Sequence, residues 1–514
     1  MKYDTILVLD FGGQYCHLIG RRIREHNVFS EIVPHNITPE EIRRLDDKFN
    51  VKGLVFSGGP ASVYDQNVPR CDPNILNQNL PALGLCYGHQ LIAQIAGGRV
   101  EPAKHREYGI AHVTIDRPVG VLKGLEKKET VWMSHGDTVF SLPAEYEVLA
   151  HTENCPVAAF RHTAKPIYGL QWHPEVVHTE KGMQMLRNFV YEVADCEADW
   201  KMEDFVETAI DEIRHTIGES KAIIGLSGGI DSSATTALAA RALGKKLTAV
   251  FVDHGFVREG EPEFVKSAFG KLGINLILIE ASQRFLQKIK GITDPEKKRK
   301  IVGEEFIRVF EEVARQVDAE YFIQGTIYPD RIESGCRQFS DKIKTHHNVA
   351  GLPAEMEFKT VVEPLRDLYK DEVRKVAAQL GLPQKIVWRQ PFPGPGLAVR
   401  VAGEVTREKI QVVRKADTIV TEEIERADLK GSLWQYFAVL TDTRSTGVKG
   451  DARVYGYTVA VRAVESREAM TASFAKIPHN ILERISTRIT NEIPQVVRVV
   501  YDITHKPPAT IEWE

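Results

Sequence analysis

Short runs of valine, isoleucine and leucine that end in glycine-rich turns recur along the chain, and this alternation constrains the fold most. Over residues 1–195 the runs are TILVLDF, VKGLVFSGGP, LPALGLCYG and IYGLQWHPE, with helical patterns after the first and third. A second series contains AIIGL, KKLTAVFVDHG, INLILIEAS and AEYFIQGT, again with helical patterns between them. Such alternation predicts mostly parallel α/β sheets, in which ligands bind beyond the carboxyl ends of the strands.

The length of 514 residues exceeds what one hydrophobic core usually supports. A polar stretch, CEADW, follows the first series, and the Pro/Gly cluster RQPFPGPGL follows the second. We predict three domains: two doubly wound α/β domains over residues 1–197 and 198–389, and a small α+β domain over residues 390–514.

Composition excludes several classes of protein. A net charge of −4 gives no electrostatic reason to expect nucleic acid or a membrane surface as partner. The N-terminus lacks a signal peptide's apolar core, and no apolar run approaches the roughly 20 residues that span a bilayer. The six cysteines form no C-x-x-C pair, which favours reduced thiols in a cytoplasmic enzyme.

The segment GLCYGHQ ends one strand and begins a helix, with glycines on either side of Cys86. This pattern is typical of a nucleophile elbow, in which a strained turn exposes the side chain and the helix N-terminus favours a thiolate. A single cysteine at such a turn is more often a small buried residue, so this fragment alone leaves both interpretations open.

Two further segments offer partners for such a thiol. His173 and Glu175 of QWHPE are two residues apart in an extended segment and therefore project from one face, where the carboxylate can orient the imidazole as a base for Cys86. The glycine turn SGGP can supply an oxyanion-hole N–H from Gly59 opposite that of Tyr87. Taken alone, QWHPE also fits an ordinary surface turn.

In their motifs and their order, these three segments resemble the class I glutamine amidotransferases over residues 1–195. The resemblance implies that Cys86 attacks the side-chain amide of glutamine, that His173 protonates the departing ammonia, and that water releases glutamate. It also implies that Gln90 and residues 134–137 help to hold glutamine. Ammonia made in this way requires an acceptor site farther along the chain.

The segment SGGIDSS follows the strand AIIGL and begins a helix. Backbone N–H groups, serine hydroxyls and the helix dipole can hold a phosphate chain there without lysine. Neither Gly-Lys pair of the chain precedes Ser or Thr, so a nucleotide-hydrolase P-loop is a weak alternative. The segment resembles the PP-loop of the N-type ATP pyrophosphatases, which implies ATP binding by Ser227, Gly228, Gly229, Ile230, Asp231, Ser232 and Ser233, with Asp231 near a Mg²⁺ ion.

Four more segments complete a pattern that runs through the whole chain: VDHG with Asp253, GTIYPDRIES, IKTHHNVAGLP and the C-terminal YDITHKPPATIEWE. In order, the set resembles the glutamine-hydrolysing GMP synthetases. That family implies substrates ATP, xanthosine 5′-monophosphate (XMP) and glutamine, Mg²⁺ with the ATP, no tightly bound organic cofactor, and a homodimer formed through the C-terminal domain.

The resemblance also assigns residues to the second active site. Asp253 would meet the adenosine, and an adenylation lid would contain Asp330, Glu333, Lys344, His346 and His347. XMP would be held by Arg299, Gln435, Lys506, Ile511 and Glu512. Arg299 and Lys344 lie in basic runs, so an ordinary surface charge remains an alternative for each. Gln390 departs from the family's usual R-H-P-F-P-G-P-G, which leaves the histidine's role there open.

Two other interpretations compete with this one. The chain could be another amidotransferase with a PP-loop synthetase that adenylates a carboxylate, or a non-catalytic scaffold that kept the fold. Intact Cys86, His173, Glu175 and SGGIDSS argue against the scaffold.

Overall fold

A computed structural model describes residues 2–270, 273–333, 358–466 and 471–514. The described residues up to Phe205 form one compact unit, and those from Val206 onward form a second. The prediction of an α/β chain is confirmed. No helix among the described residues is long and apolar enough to cross a membrane.

The first unit contains one sheet of nine strands in the order β2-β1-β3-β4-β9-β8-β7-β5-β6. Its strands are β1 (Asp4–Asp10), β2 (Phe29–Pro34), β3 (Asn50–Phe56), β4 (Ala82–Leu85), β5 (Arg99–Ile115), β6 (Lys128–Ser141), β7 (Tyr146–His151), β8 (Ala159–His162) and β9 (Ile167–Leu170). Its helices are α1 (Cys16–Arg24), α2 (Pro39–Leu45), α3 (Tyr87–Ile95) and α4 (Gly182–Arg187), the last continued by a π-helical turn, Asn188–Val193.

Half of this sheet differs from the mostly parallel arrangement that the sequence suggested. The strands from β2 to β9 are parallel, whereas the pairs β9–β8, β8–β7, β7–β5 and β5–β6 are antiparallel. The physical reason lies in β6, where buried and half-buried residues alternate along KETVWMSHGD. Such alternation is typical of antiparallel strands with one covered face.

The second unit begins within helix α5 (Met202–Ile217) and contains a five-stranded parallel sheet in the order β12-β11-β10-β13-β14. Its strands are β10 (Ala222–Gly225), β11 (Leu247–Asp253), β12 (Asn275–Glu280), β13 (Tyr321–Ile323) and β14 (Thr360–Val362). The accompanying helices are α6 (Ile230–Leu243), α7 (Glu261–Gly270), α8 (Ser282–Lys288), α9 (Pro295–Val317), α10 (Tyr328–Glu333), α11 (Lys370–Gln379) and α12 (Gln384–Val387). The strand order reverses between β10 and β13, so the turn after β10 opens at the crevice where doubly wound sheets bind ligands.

The end of the chain forms a smaller sheet, in which β15 (Gln435–Lys449) pairs with β16 (Ala452–Glu465), and β17 (Ser473–Phe474) and β18 (Val496–Tyr501) pair with β16. Helices α13 (Arg407–Arg426) and α14 (His479–Glu492) complete this part. One buried apolar cluster extends from Ile223 and Val250 through Leu397 to Ile489 and Val496. The parallel sheet and the C-terminal sheet therefore share a hydrophobic core.

Candidate active sites

Cys86 lies in a strained turn between β4 and α3. Its φ of 52° and ψ of −105° are unusual for a residue with a side chain, and such strain concentrates at functional sites. The turn is tight, because a Cβ at Gly84 would lie 2.5 Å from the carbonyl oxygen of Gly88, and a Cβ at Gly88 would lie 2.3 Å from that of Phe56. The geometry matches the nucleophile elbow that the sequence suggested.

His173 and Glu175 form a buried pair, as predicted from QWHPE. Nδ1 of His173 lies 2.7 Å from Oε1 of Glu175, and the Glu175 side chain has no exposed surface. The backbone fixes the ring, since the His173 N–H donates to the Trp132 carbonyl at 3.0 Å and the Thr179 hydroxyl donates to the His173 carbonyl at 2.6 Å.

Cys86 and His173 meet beside Gly58. A Cβ at Gly58 would lie 3.0 Å from Cε1 of His173 and 3.6 Å from Cβ of Cys86, so a larger residue there would press on the His173 ring. Burial alone lowers the pKa of His173, but the Glu175 carboxylate and the Cys86 sulfur favour the protonated ring more strongly and hold that pKa well above its ordinary value. The arrangement therefore favours a protonated imidazole beside the Cys86 sulfur.

A cavity of about 600 Å³ opens over Cys86 and His173. Gly59 and Tyr87 line it, and Tyr87 is the first residue of α3, so its N–H has no acceptor within the helix. Gln90 also lines the cavity, but its side-chain amide donates to the Asp137 carbonyl at 3.0 Å. Gln90 therefore shapes the cavity wall.

Two residues of this cavity, Ser62 and Tyr64, are absent from the sequence prediction. The Ser62 hydroxyl donates to Oδ2 of Asp137 at 2.5 Å, and the Tyr64 hydroxyl donates to Oδ1 at 2.6 Å. Both follow the SGGP turn directly, which is the only signal that the sequence offers for them. They fix the carboxylate of Asp137 at the cavity wall.

The PP-loop segment forms the predicted turn between β10 and α6, with Gly229 as the N-cap. Its serines bond among themselves: the Ser227 and Ser232 hydroxyl oxygens lie 2.9 Å apart, and the Ser233 hydroxyl donates to the Gly229 carbonyl at 2.6 Å. Gly228 has a φ of 73°, and its carbonyl accepts a 3.0 Å bond from Arg389. The loop is thus shaped before any phosphate binds.

Asp231 faces a cavity of about 460 Å³ that the PP-loop also lines. Its carboxylate forms an ion pair with Lys370, while its Oδ1 is buried without a hydrogen-bond partner among the described residues. Sequence reasoning missed Lys370 and Arg389, which line the same cavity. Neither belongs to a phosphate motif, and only the fold brings them to the loop.

The other residues predicted to contact ATP or to form the adenylation lid do not all lie beside the PP-loop. Asp253 accepts a 2.8 Å bond from the Gly255 N–H and lines a separate cavity of about 360 Å³, not the one beside the PP-loop. Asp330 lies in α10 and accepts a 3.1 Å bond from the Ile327 N–H. Glu333 ends α10, and its side chain is outside the described set, as are Lys344, His346 and His347.

Among the predicted XMP residues, the structure brings Gln435 and Glu512 into direct contact. The Gln435 amide donates to Oε1 of Glu512, and Arg400 donates to both oxygens of that carboxylate, at 3.2 and 3.1 Å. Arg400 is fully buried and also bonds Asp417 at 3.2 Å. Its signal in the sequence is a charge inside the apolar run GLAVRVAG.

The other predicted XMP residues lie at different points of the C-terminal segment. Arg299 of α9 donates to the Glu514 carbonyl. Ile511 is buried in a small cluster with Val464, and Lys506 forms backbone hydrogen bonds with Ala472 at 2.8 and 3.0 Å. The last residues of the chain are therefore anchored to α9, to β16 and to Ala472, just before β17.

Gln390, which departs from the family's usual histidine, has a defined place. Its Oε1 accepts a 2.9 Å hydrogen bond from the Tyr436 N–H in β15, and the residue lines the cavity beside the PP-loop. Gln390 thereby fastens the PFPGPG segment to the C-terminal sheet.

Three family models match the chain and define its class. The model "Glutamine amidotransferase class-I" matches residues 7–193, "PP-loop domain" matches residues 202–389, and "GMP synthase C terminal domain" matches residues 422–513. With the elbow at Cys86 and the PP-loop turn, these matches define a glutamine amidotransferase joined to an ATP-using PP-loop synthetase.

Curated relatives of the same length narrow this class. Proteins named "GMP synthase [glutamine-hydrolyzing]" from Acetivibrio thermocellus and Geobacillus kaustophilus are each 53% identical over 516 residues, and one from Caldanaerobacter subterraneus subsp. tengcongensis is 51% identical, with 100% of each chain covered. The chain belongs to the glutamine-hydrolysing GMP synthases, so the prediction of that enzyme class from the motifs is confirmed.

Proposed function

We propose that the chain makes GMP at two sites, one in each compact unit. Glutamine and water give glutamate and ammonia at the Cys86 cavity. ATP and XMP give an adenylated XMP and pyrophosphate at the PP-loop, and ammonia then displaces AMP from that intermediate to give GMP. Adenylation is required because the carbonyl oxygen of a purine ring is a poor leaving group until it carries AMP.

The observation that carries the proposal is the strained turn of Cys86 beside the buried His173–Glu175 pair, all at one cavity. Cys86 would pass its proton to His173 and attack the glutamine amide carbon as a thiolate. The N–H groups of Tyr87 and Gly59 would stabilise the oxyanion. His173 then gives its proton to the departing ammonia, a thioester forms at Cys86, and His173 accepts a proton from the water that releases glutamate.

At the second site, the PP-loop would hold the β- and γ-phosphates, which leave as pyrophosphate. N–H groups at the start of α6 and the serine hydroxyls are suited to these anions. Lys370, paired with Asp231, and Arg389, paired with Glu261, lie in the cavity wall and would lend positive charge to the phosphates. The α-phosphate remains free to accept the xanthine oxygen of XMP.

Asp231 is suited to hold a Mg²⁺ ion together with ATP. Among the described residues no three His, Cys, Asp or Glu side chains form a metal cluster, but Mg²⁺ is usually bound by one or two carboxylates and substrate phosphates. The unpartnered Oδ1 of Asp231 is such a ligand. The ion would neutralise charge on the phosphates.

XMP would be held by Arg299, Gln435, Lys506, Ile511 and Glu512. Contact between Gln435 and Glu512, and the anchoring of Arg299 to the same C-terminal segment, support a common site for these residues. Cationic side chains suit the phosphate of XMP, and the carboxylate suits hydrogens of its ring or ribose.

The proposal includes a homodimer and a cytoplasmic location. Val448 and Tyr455 of the β15–β16 hairpin are 74% and 68% exposed, and exposed apolar side chains are suited to contact with a partner copy. Five cysteines of the described residues are free thiols, as expected in a reducing compartment. We keep residues 1–197, 198–389 and 390–514 as the proposed domains.

One assay tests the proposal: the chain is supplied with ATP, Mg²⁺ and XMP, and with either glutamine or ammonium, while AMP and GMP are measured. We expect equal amounts of AMP and GMP with both nitrogen sources. No GMP from either source would contradict the proposal, as would AMP formed without XMP.

A further inference from the structure

Strands β5 and β6 lose their regular register beside the Cys86 cavity. Pro102 pairs with Asp137, and Glu107 pairs with His135, so residues 103–106 lie opposite Gly136 alone. A bulge of this kind redirects side chains and often lies next to an active site. Arg106, the last residue of the bulge, lines the cavity, and its Nε would be 3.7 Å from a Cβ on Gly136.

Glu107 holds the end of the bulge in place. Its Oε2 lies 3.1 Å from Nε2 of His135, and its Oε1 accepts a 2.9 Å bond from the Thr152 hydroxyl. Burial raises the pKa of Glu107, but these hydrogen bonds outweigh burial and leave that pKa below its ordinary value. Because alternate residues of a strand face opposite sides, pinning Glu107 inward turns Arg106 and Tyr108 toward the cavity, which both line.

The spacing along β6 matches the length of glutamine. The carbonyl oxygen of Ser134 accepts a hydrogen bond from the Cys86 thiol at 3.5 Å. Gly136, which the Arg106 side chain covers, lies two residues farther along β6. Two strand residues span about 7 Å, whereas the amide and carboxylate carbons of an extended glutamine are about 5 Å apart. A glutamine with its amide at the thiol therefore brings its carboxylate within reach of Arg106.

Charge also fits this placement. Arg106 is exposed, and within the described part of the chain it has neither an ion-pair partner nor a hydrogen-bond acceptor. Asp137, fixed by Ser62 and Tyr64, lies on the same wall and suits the ammonium group of glutamine. A guanidinium binds a carboxylate through two parallel hydrogen bonds.

We propose that Arg106 binds the α-carboxylate of glutamine, with the Tyr108 hydroxyl beside it, and thereby sets specificity for the free amino acid. This inference rests on the proposed role of Cys86 in glutamine hydrolysis. Neither Arg106 nor Tyr108 belongs to the motifs that predicted the site.

The test uses the full chain and two substrates, glutamine and its α-amide, in which a neutral amide replaces the carboxylate. For Arg106→Gln we expect the KM for glutamine to rise about tenfold or more, as for the loss of a charged hydrogen bond, with kcat changed less than about threefold and ammonium-dependent GMP formation unchanged. The native chain should prefer glutamine to the α-amide, and Arg106→Gln should lose that preference. Arg106→Lys should regain part of it.

Lys104→Gln is the matched control, because Lys104 is exposed in the same bulge but does not line the cavity, and it should behave as the native chain. If Arg106→Gln still prefers glutamine over the α-amide, the inference is overturned, whether or not kcat has changed. A failure of the underlying proposal looks different: Cys86→Ala would then retain glutamine hydrolysis.

Discussion

Nδ1 of His173 lies 2.7 Å from Oε1 of Glu175, and the carboxylate of this pair has no exposed surface. Water screens this buried interaction less than it would a surface pair, so the negative charge acts more strongly on the ring. The pair orients the second ring nitrogen toward Cys86 and keeps the ring protonated. Glu175 thus sets both the position and the charge of His173.

Glu175→Gln should lower the pKa of His173. The native pKa is raised, so the protonated ring persists as pH rises; removing the carboxylate makes the ring lose its proton at lower pH. We expect the alkaline limb of the glutamine-hydrolysis pH profile to move to lower pH, and kcat/KM to fall about 100-fold or more. NMR titration of His173 checks the shift, and an unchanged titration would contradict it.

The same pair makes stability depend on pH. The folded-state pKa of His173 is above its unfolded value of about 6.5. The contribution of the protonated ring to the free energy of unfolding is therefore complete below about pH 6.5 and is lost as pH rises through the folded-state pKa. In Glu175→Gln, this loss should begin at lower pH. Hydrogen exchange in the first unit, followed across pH, measures it.

Cys86→Ala should abolish GMP formation from glutamine and leave formation from high ammonium nearly unchanged. The substitution removes the nucleophile without adding bulk to the tight turn. The second unit is unchanged and can still use ATP, XMP and added ammonium. Cys155→Ala is a suitable control, since Cys155 is a buried thiol outside the cavity. Equal loss with both nitrogen sources would contradict the assignment of Cys86.

Asp231→Ala should block AMP formation with either nitrogen source, because both routes need the adenylated intermediate. The loss should exceed about 100-fold, as expected when a charge-stabilising group is removed at phosphate. Asp211→Ala, an exposed carboxylate of the same unit, should have no effect. Normal AMP release by the Asp231 variant would remove this residue from the site.

Arg400→Met should destabilise the second unit strongly. Arg400 is fully buried between Asp417 and Glu512, and removing one partner of a buried ion pair costs about 3–5 kcal/mol. The exposed pair of Arg214 and Asp211 offers a control, since breaking it should cost less than about 1 kcal/mol. Amide hydrogen exchange in peptides from α13 measures the stability of both variants. If the Arg400 variant were as well protected as the control variant, the prediction would be contradicted.

The sequence predicted those parts of the sites that local motifs determine. Cys86 and the PP-loop each lie in a strand-to-helix turn whose glycines and serines are adjacent in the chain, and the structure forms both turns. Lys370 and Arg106 were not predicted, because each reaches its cavity only through tertiary folding. Lys370 lies at the start of α11, and Arg106 lies where the pairing of β5 with β6 changes register. Long-range pairing of this kind leaves no local pattern.

The central claim is that the oxygen of XMP bonds to the α-phosphorus of ATP before ammonia displaces it from the ring, so that this oxygen leaves in AMP. XMP labelled with ¹⁸O at the carbonyl that becomes the amino position of GMP tests this claim directly, with ammonium as nitrogen source and AMP and pyrophosphate analysed by mass spectrometry. We predict one ¹⁸O atom in the phosphate of each AMP and none in pyrophosphate. Unlabelled AMP, or label in pyrophosphate, would contradict the account.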